Sequence, residues 1–373
     1  MAKTQQFNYI TYGSTTHAGR VVQLLDHMAQ FCVDDTAAAR PTPICIWGMH
    51  GIGKTELVRD FAKSKNFRFI YIAPAQFEEM GDLLGMPKIE QQNNVLNTRF
   101  VAPDWVPTEE GPGIFLIDDV NRADDRILRG IMQLLQNYEL VSWRLPPRWM
   151  IVLTANPDGG DYSVSSMDDA MLTRMMHVTM EFDVKTWAKW AEQAGIDPRG
   201  VNFVLTYPEI VTGNRTTPRS LVQFFRSMEQ LTDLKQQLDL VKLLADGCLN
   251  VETTAAFITF INMDMDKIVA PEELINAPIF SIMEARIKEL VDGKTKRMDI
   301  LSVIMTRVTN YLLFRKEELT DKAFENLKSF ILLSFIPNDL RLAMAQELVN
   351  ANLKSLKKLY GIPEIAKLIL TKM

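Results

Sequence analysis

"ICIWGMHGIGKTELVRDFAKSK" runs from Ile44 to Lys65. Its first four residues are a short apolar run suited to a strand buried on both faces. Gly48 to Thr55 then fit the pattern G-x-x-x-x-G-K-[ST], and helical spacing follows. Glycines let a backbone wrap with its N–H groups turned inward on phosphate oxygens. A helix opening near Lys54 adds the positive end of its dipole. Lys54 is placed to reach the β- and γ-phosphates, and the Thr55 hydroxyl to coordinate Mg²⁺. The expected nucleotide contacts are Gly48, Met49, His50, Gly51, Ile52, Gly53, Lys54, Thr55 and Glu56, with Met49 and His50 at variable positions. The loop follows a strand and opens a helix, which is the context that gives the motif its meaning.

A second stretch, "FLIDDVNRA" at 115–123, ends an apolar run on two adjacent aspartates. Paired carboxylates repel each other and resist desolvation. Either they sit in solvent at a strand end or something cationic holds them. Paired with the phosphate loop, Asp118 is the acidic partner expected at a neighbouring strand end, holding Mg²⁺ through its water shell. Asp119 then lies beside the reactive phosphate, placed to orient the attacking water.

Outward from these two stretches, strands and helices alternate. "FRFIYIA", "IFLID", "WMIVLTAN" and "MHVTM" read as further strands, and "RADDRILRGIMQLLQNYEL" as an amphipathic helix. Residues 16–39 show helical spacing, residues 78–113 show little periodicity, and "DGGDYSVSS" reads as a loop. The alternation predicts an α/β class, a parallel sheet with crossover helices, and the phosphate loop makes a P-loop NTPase sheet the expectation. Past about residue 182 helical spacing dominates, including one long run, "LRLAMAQELVNANLKSLKKLYG". The expected organisation is an α/β core over 1–182 with an insertion at about 78–105, an all-α lid over 183–285, and a helical C-terminal region over 286–373 to which the residues assign no role. Trp187 and Trp190, three apart on one helix face, read as packing, and so do the Leu/Ile/Met stripes beyond residue 280.

Composition narrows the partners. The net charge is −5, and residues 1–180 hold 16 Lys+Arg against 21 Asp+Glu, which argues against extended nucleic-acid backbone binding. Cys32, Cys45 and Cys248 are too few and too spread for a disulfide frame or zinc site. His17, His27, His50 and His177 show no ligand spacing. With neither an apolar signal core at the N-terminus nor an apolar run of membrane length, the expectation is a cytoplasmic protein with no membrane partner.

Taken together, "GMHGIGKT", "FLIDDVNRA", "LTANP" and "MLTRM" resemble an AAA+ ATPase, and "DVNRA" with "GDLLGMPKI" resembles the MoxR group. "TRFVAPDWVPTEEGPGIFLIDDVNRA", "LPPRWMIVLTANP" and "TWAKWAEQAGI" are similar to MoxR-type ATPases that act with a von Willebrand A-like partner. The resemblance covers roughly residues 40–230. It implies that Asn156 is sensor 1, that Arg174 is an arginine finger reaching the next subunit's ATP, and that Arg219 is sensor 2 at the start of a lid helix, acting in cis or in trans. It implies that Asp82 to about Asn97 is a helix-2 insertion lining the pore of a ring, by analogy a hexamer. ATP binding would close the cleft between core and lid, and a client protein or complex would be remodelled in a chaperone-like way. One position departs from the family: Asp119 stands where Glu is usual, so turnover is expected to be slow but real.

Two other readings stay open on the residues. ATP binding through a weakly hydrolysing Asp119 would suit an assembly switch or scaffold. Several AAA+ relatives act on DNA or RNA, a role the acidic core counts against.

Overall fold

The computed structural model describes residues 11–34, 40–92, 95–157, 167–211, 215–263, 268–292, 297–315, 317–349 and 353–370. Its contacts divide the chain into two compact units, Met1–Asp183 and Val184–Met373.

The first unit alternates strands and helices: β1 Ser14–His17, α1 Ala18–Val33, β2 Ile44–Trp47, α2 Lys54–Ser64, β3 Arg68–Ile72, α3 Met80–Leu84, β4 Met86–Gln92, β5 Val95–Val101, β6 Gly113–Ile117, α4 Asp125–Asn137, β7 Trp149–Ala155, α5 Asp169–Leu172 and β8 Met176–Glu181. Six strands form one parallel sheet in the order β1-β8-β2-β7-β6-β3. The strands β2, β6 and β7 are buried along their whole length because side chains pack on both faces. One face packs Val21, Leu25, Val58 and Phe61 against Ile44, Ile114 and Val152. The other packs Ile127, Ile131 and Leu134 against Phe115, Ile151 and Leu153. Burial on both faces is what makes these strands continuous apolar runs in the sequence.

The strands expected at 44–47, 67–73, 114–118, 149–156 and 176–180 all form, within a residue or two of their ends. The sheet has a sixth strand, β1, whose "STTH" carries no apolar signal because it is an exposed edge. The aperiodic stretch after residue 78 holds α3 and an antiparallel ribbon, β4–β5, in which Met86 lies opposite Val101 and Gln92 opposite Val95. The helix expected over 16–39 spans Ala18–Val33, and residues 35–39 lie outside the described residues, as does the loop expected at 158–166.

The second unit is helical: α6 Val184–Gln193, α7 Pro198–Thr206, α8 Pro218–Met228, α9 Leu238–Cys248, α10 Val251–Asn262, α11 Pro271–Ile275, α12 Phe280–Val291, α13 Met298–Phe314, α14 Asp321–Ile331, α15 Asn338–Val349, α16 Lys354–Lys357 and α17 Pro363–Leu370. The run expected as one long helix over 340–361 is instead α15 and α16 followed by a 3-10 turn, with Leu353 extended at the cap of α16. Trp187 is buried near Phe225, with ring centroids 6.5 Å apart, as packing requires. Phe203, Phe224, Phe257 and Phe260 form an edge-to-face cluster at the centre of α7, α8 and α10. Among the described residues, no helix is long and apolar enough to cross a membrane.

A buried ion pair joins three helices of this unit. Arg307 on α13 lies 3.5 Å from Glu192 on α6 and donates to the Asn202 side chain on α7 at 3.0 Å. Burial pushes the Glu192 carboxyl up to about 7, with the Arg307 guanidinium offsetting only part of that rise. The folded value lies above that of an unfolded glutamate, about 4.3. The stability this group contributes is therefore full below that value and is lost as pH rises through about 7. The melting temperature of wild type is expected to fall relative to that of Glu192→Gln as pH rises from about 5 to 8, shifting the gap between them in favour of the variant. A gap constant across that range would show that Glu192 does not gain a proton on folding.

Candidate active site

The carboxyl ends of β2, β6 and β7 lie side by side, because Ile117 is opposite Leu153 and Trp47 opposite Ala155. Three segments therefore leave the sheet at one place: the loop from Gly48, the Asp118–Asp119 pair and Asn156. The expected convergence of the phosphate loop with the acidic pair is what the register produces.

The loop turns on left-handed backbone. Gly51 has φ +71° and Gly53, the N-cap of α2, has φ +99°, conformations that L side chains rarely adopt. Lys54 opens α2 and is 5% exposed. Its Nζ donates to Gly48 O at 2.7 Å, Met49 O at 3.2 Å and Asn156 Oδ1 at 3.1 Å. The ammonium is thus held over the mouth of the loop that its own backbone forms. Met49, His50 and Ile52 are half-buried, as variable loop positions can be. Glu56 is exposed, and its carboxylate accepts from Arg59 at 2.7 Å, so only its backbone faces the first turn of α2.

The two aspartates are held differently. Asp118 Oδ1 accepts from the hydroxyls of Thr55 and Thr154, each at 2.6 Å, and its Oδ2 accepts from the Tyr71 phenol at 3.2 Å. Asp119 sits in the left-handed region, φ +48°, at the start of a 3-10 turn over Val120–Arg122. Its N–H donates to Thr154 Oγ1 at 2.8 Å, its Oδ1 accepts from Asn156 Nδ2 at 3.0 Å, and its Oδ2 lies 3.3 Å from Arg122 Nε. The cation that steadies the pair is therefore Arg122, beside Asp119. Asn156 is fully buried and bridges Lys54 and Asp119 through the two ends of one carboxamide.

Sequence reading missed Thr154, Asn121, Arg122 and Tyr71. Thr154 looked like an ordinary strand residue, yet it and Asn156 lie two apart, so their side chains leave the strand on the same side. That spacing, next to an acidic pair, was the available signal.

Arg174 lies elsewhere. Met176 at the start of β8 pairs with Ile44 at the start of β2, and Arg174 precedes it by two residues. The phosphate loop leaves the opposite end of β2, roughly 13 Å further along at the rise of a strand. Arg174 donates to Gln136 Oε1 through Nε and Nη2, each at 3.1 Å, and to Ala170 O. With Arg40 and Tyr138 it lines an open cavity of about 400 Å³. Arg219 is an exposed residue in the first turn of α8, in the second unit, behind the N-cap Thr217.

The donors fit a magnesium nucleotide. A left-handed glycine turn opens an eleven-residue helix, its lysine faces the loop, and one hydroxyl and one carboxylate supply hard oxygen ligands at its edge. Thr55 and Asp118 are the residues that would hold the ion.

Residues 43–175 match a family model described as AAA domain (dynein-related subfamily). The match spans 133 of 373 residues and takes in the loop, both aspartates, Asn156 and Arg174. No curated protein matches the chain. Among solved structures the chain is similar to a point mutant of Thermotoga maritima RuvB, at 13% identity over 83% of this chain and 95% of that one, with a TM-score of 0.38. It is also similar to the Thermotoga maritima RuvB Holliday junction branch migration motor, at 14% identity over 83% and 93%, with a TM-score of 0.36. Lys54, Thr55, Asp118, Asp119 and Asn156 thus all lie within the region that matches the AAA-domain model.

Proposed function

We propose that the chain is a MoxR-like AAA+ ATPase that couples ATP binding and hydrolysis to remodelling or maturation of a partner protein. The observation that carries the reading is the meeting of Lys54, Thr55, Asp118, Asp119 and Asn156 at one end of the sheet. Lys54 Nζ exchanges its hydrogen bonds to the loop carbonyls for bonds to oxygens of the β- and γ-phosphates. Thr55 and Asp118 would hold the magnesium ion, which when bound would neutralise charge on the phosphate oxygens. Asp119 accepts the proton of the attacking water, and Asn156 keeps that carboxylate aligned with the phosphate beside Lys54.

Arg174 acts on a neighbouring copy in this reading, since it sits at the other end of the strands from the loop of its own chain. A single chain is then an incomplete site, and a ring, by analogy hexameric, completes it. The von Willebrand A-like partner and chaperone-like work rest on the motif resemblance. A second reading, a nucleotide-dependent assembly switch with weak hydrolysis, draws support from Asp119: it is one methylene shorter than Glu, and both its oxygens are engaged by Asn156 and Arg122. Turnover stimulated by a bound partner separates the first reading from the second.

Phosphate release from wild type, Lys54→Ala and Asp119→Asn tests the chemistry. Lys54→Ala is expected to lose nucleotide affinity. Asp119→Asn is expected to keep that affinity and turn over roughly 100-fold more slowly, the scale of a lost general base. Equal rates for wild type and Asp119→Asn would remove Asp119 from the mechanism.

A mixing experiment tests the trans arginine. Arg174→Ala alone is expected to lose roughly a thousandfold in rate. Mixed with the slowed Asp119→Asn, it should give turnover above the sum of the two, because the mixture contains sites with Asp119 from one chain and Arg174 from the other. A mixture no faster than its parts would put Arg174 outside the site.

A further inference from the structure

Tyr71 has no part in the mechanism above, yet it touches the metal-binding carboxylate. It lies on β3, the edge strand next to β6, opposite Leu116. The residue is 42% exposed, and the Arg59 guanidinium of α2 lies over its ring, 6.0 Å from the centroid. Its hydroxyl donates to Asp118 Oδ2 at 3.2 Å. The other oxygen, Oδ1, already accepts two short bonds, from Thr55 and Thr154. The oxygen left to meet the hydration shell of a docking cation is therefore Oδ2, where the phenol stands.

We propose that Tyr71 is a positioning residue whose phenol competes with the water shell of an incoming divalent cation for Asp118 Oδ2. It thereby sets the Mg²⁺ concentration at which nucleotide is captured. This deepens the ATPase reading and rests on it. The hydroxyl is a good gate because it is weakly placed: the bond is long for O–H···O, and the ring is open to water, so release leaves no buried orphan. The Thr55 and Thr154 bonds on Oδ1 are short and hold the carboxylate in place while Oδ2 changes partner.

Tyr71→Phe keeps the ring and its contact with Arg59 and removes only the hydroxyl. The experiment titrates Mg²⁺ against a fixed concentration of a fluorescent ATP analogue, reading binding rather than turnover, for wild type and variant. Half-saturating Mg²⁺ is expected to fall roughly three- to tenfold in Tyr71→Phe, the scale of one relinquished hydrogen bond. Affinity for the same analogue in EDTA is expected to be unchanged. An Mg²⁺ requirement that is unchanged or raised, or an equal gain in affinity in EDTA, would overturn the role of Tyr71 and leave the ATPase reading standing. A wild-type chain that binds no analogue with or without Mg²⁺ would overturn both.

Discussion

The active end of the sheet depends on one reciprocal contact. Beyond Ala155 the strand β7 stops, and the Asn121 carboxamide takes over both backbone groups of Asn156. Its Oδ1 accepts from Asn156 N at 3.1 Å, and its Nδ2 donates to Asn156 O at 2.8 Å. Both residues are fully buried, so a group left without a partner there would cost about 1–3 kcal/mol. With its backbone pinned, the Asn156 side chain has one direction to take. It joins Lys54 to Asp119, two groups far apart in the sequence.

Thr154 extends the same logic to the acidic pair. One hydroxyl accepts from the backbone N–H of Asp119 and donates to the carboxylate of Asp118. Repulsion between the two aspartates is thus managed by splitting their partners: hydroxyls and a phenol on Asp118, a carboxamide and a guanidinium on Asp119. The question raised by "IDD" has a cation as its answer on Asp119 and, on Asp118, an answer the residues alone did not offer: neutral hydroxyl donors.

The sequence made legible what burial and motif spacing write into it. The strands β2, β6 and β7 are apolar throughout because both faces are covered, and the glycine loop is readable because few residues can take positive φ. β1 and the β4–β5 ribbon were not legible, since strands exposed at an edge or on both faces need no apolar alternation; Ile89 and Leu96 stand in solvent. Thr154, Asn121 and Tyr71 were hidden for another reason. Each acquires its meaning only from the register that sets β7 and β3 beside β6, and one sequence without its pairing does not carry register.

Aspartate at 119 and the left-handed turn at the same residue belong together. Short polar side chains tolerate αL backbone better than longer ones, so a chain that turns sharply after Asp118 favours Asp over Glu there. The turn fixes the carboxylate close to its own backbone, where Asn156 and Arg122 reach it. In the proposed mechanism, where the carboxylate takes a proton from water, it has to release one of these partners. The Arg122 contact is an i,i+3 pair with both side chains open to solvent, the class of ion pair worth least, whereas the Asn156 contact is anchored by a fully buried residue. Oδ2 is therefore the oxygen that comes free first, and the half of the carboxylate that stays bound is the half that keeps it aligned with Lys54.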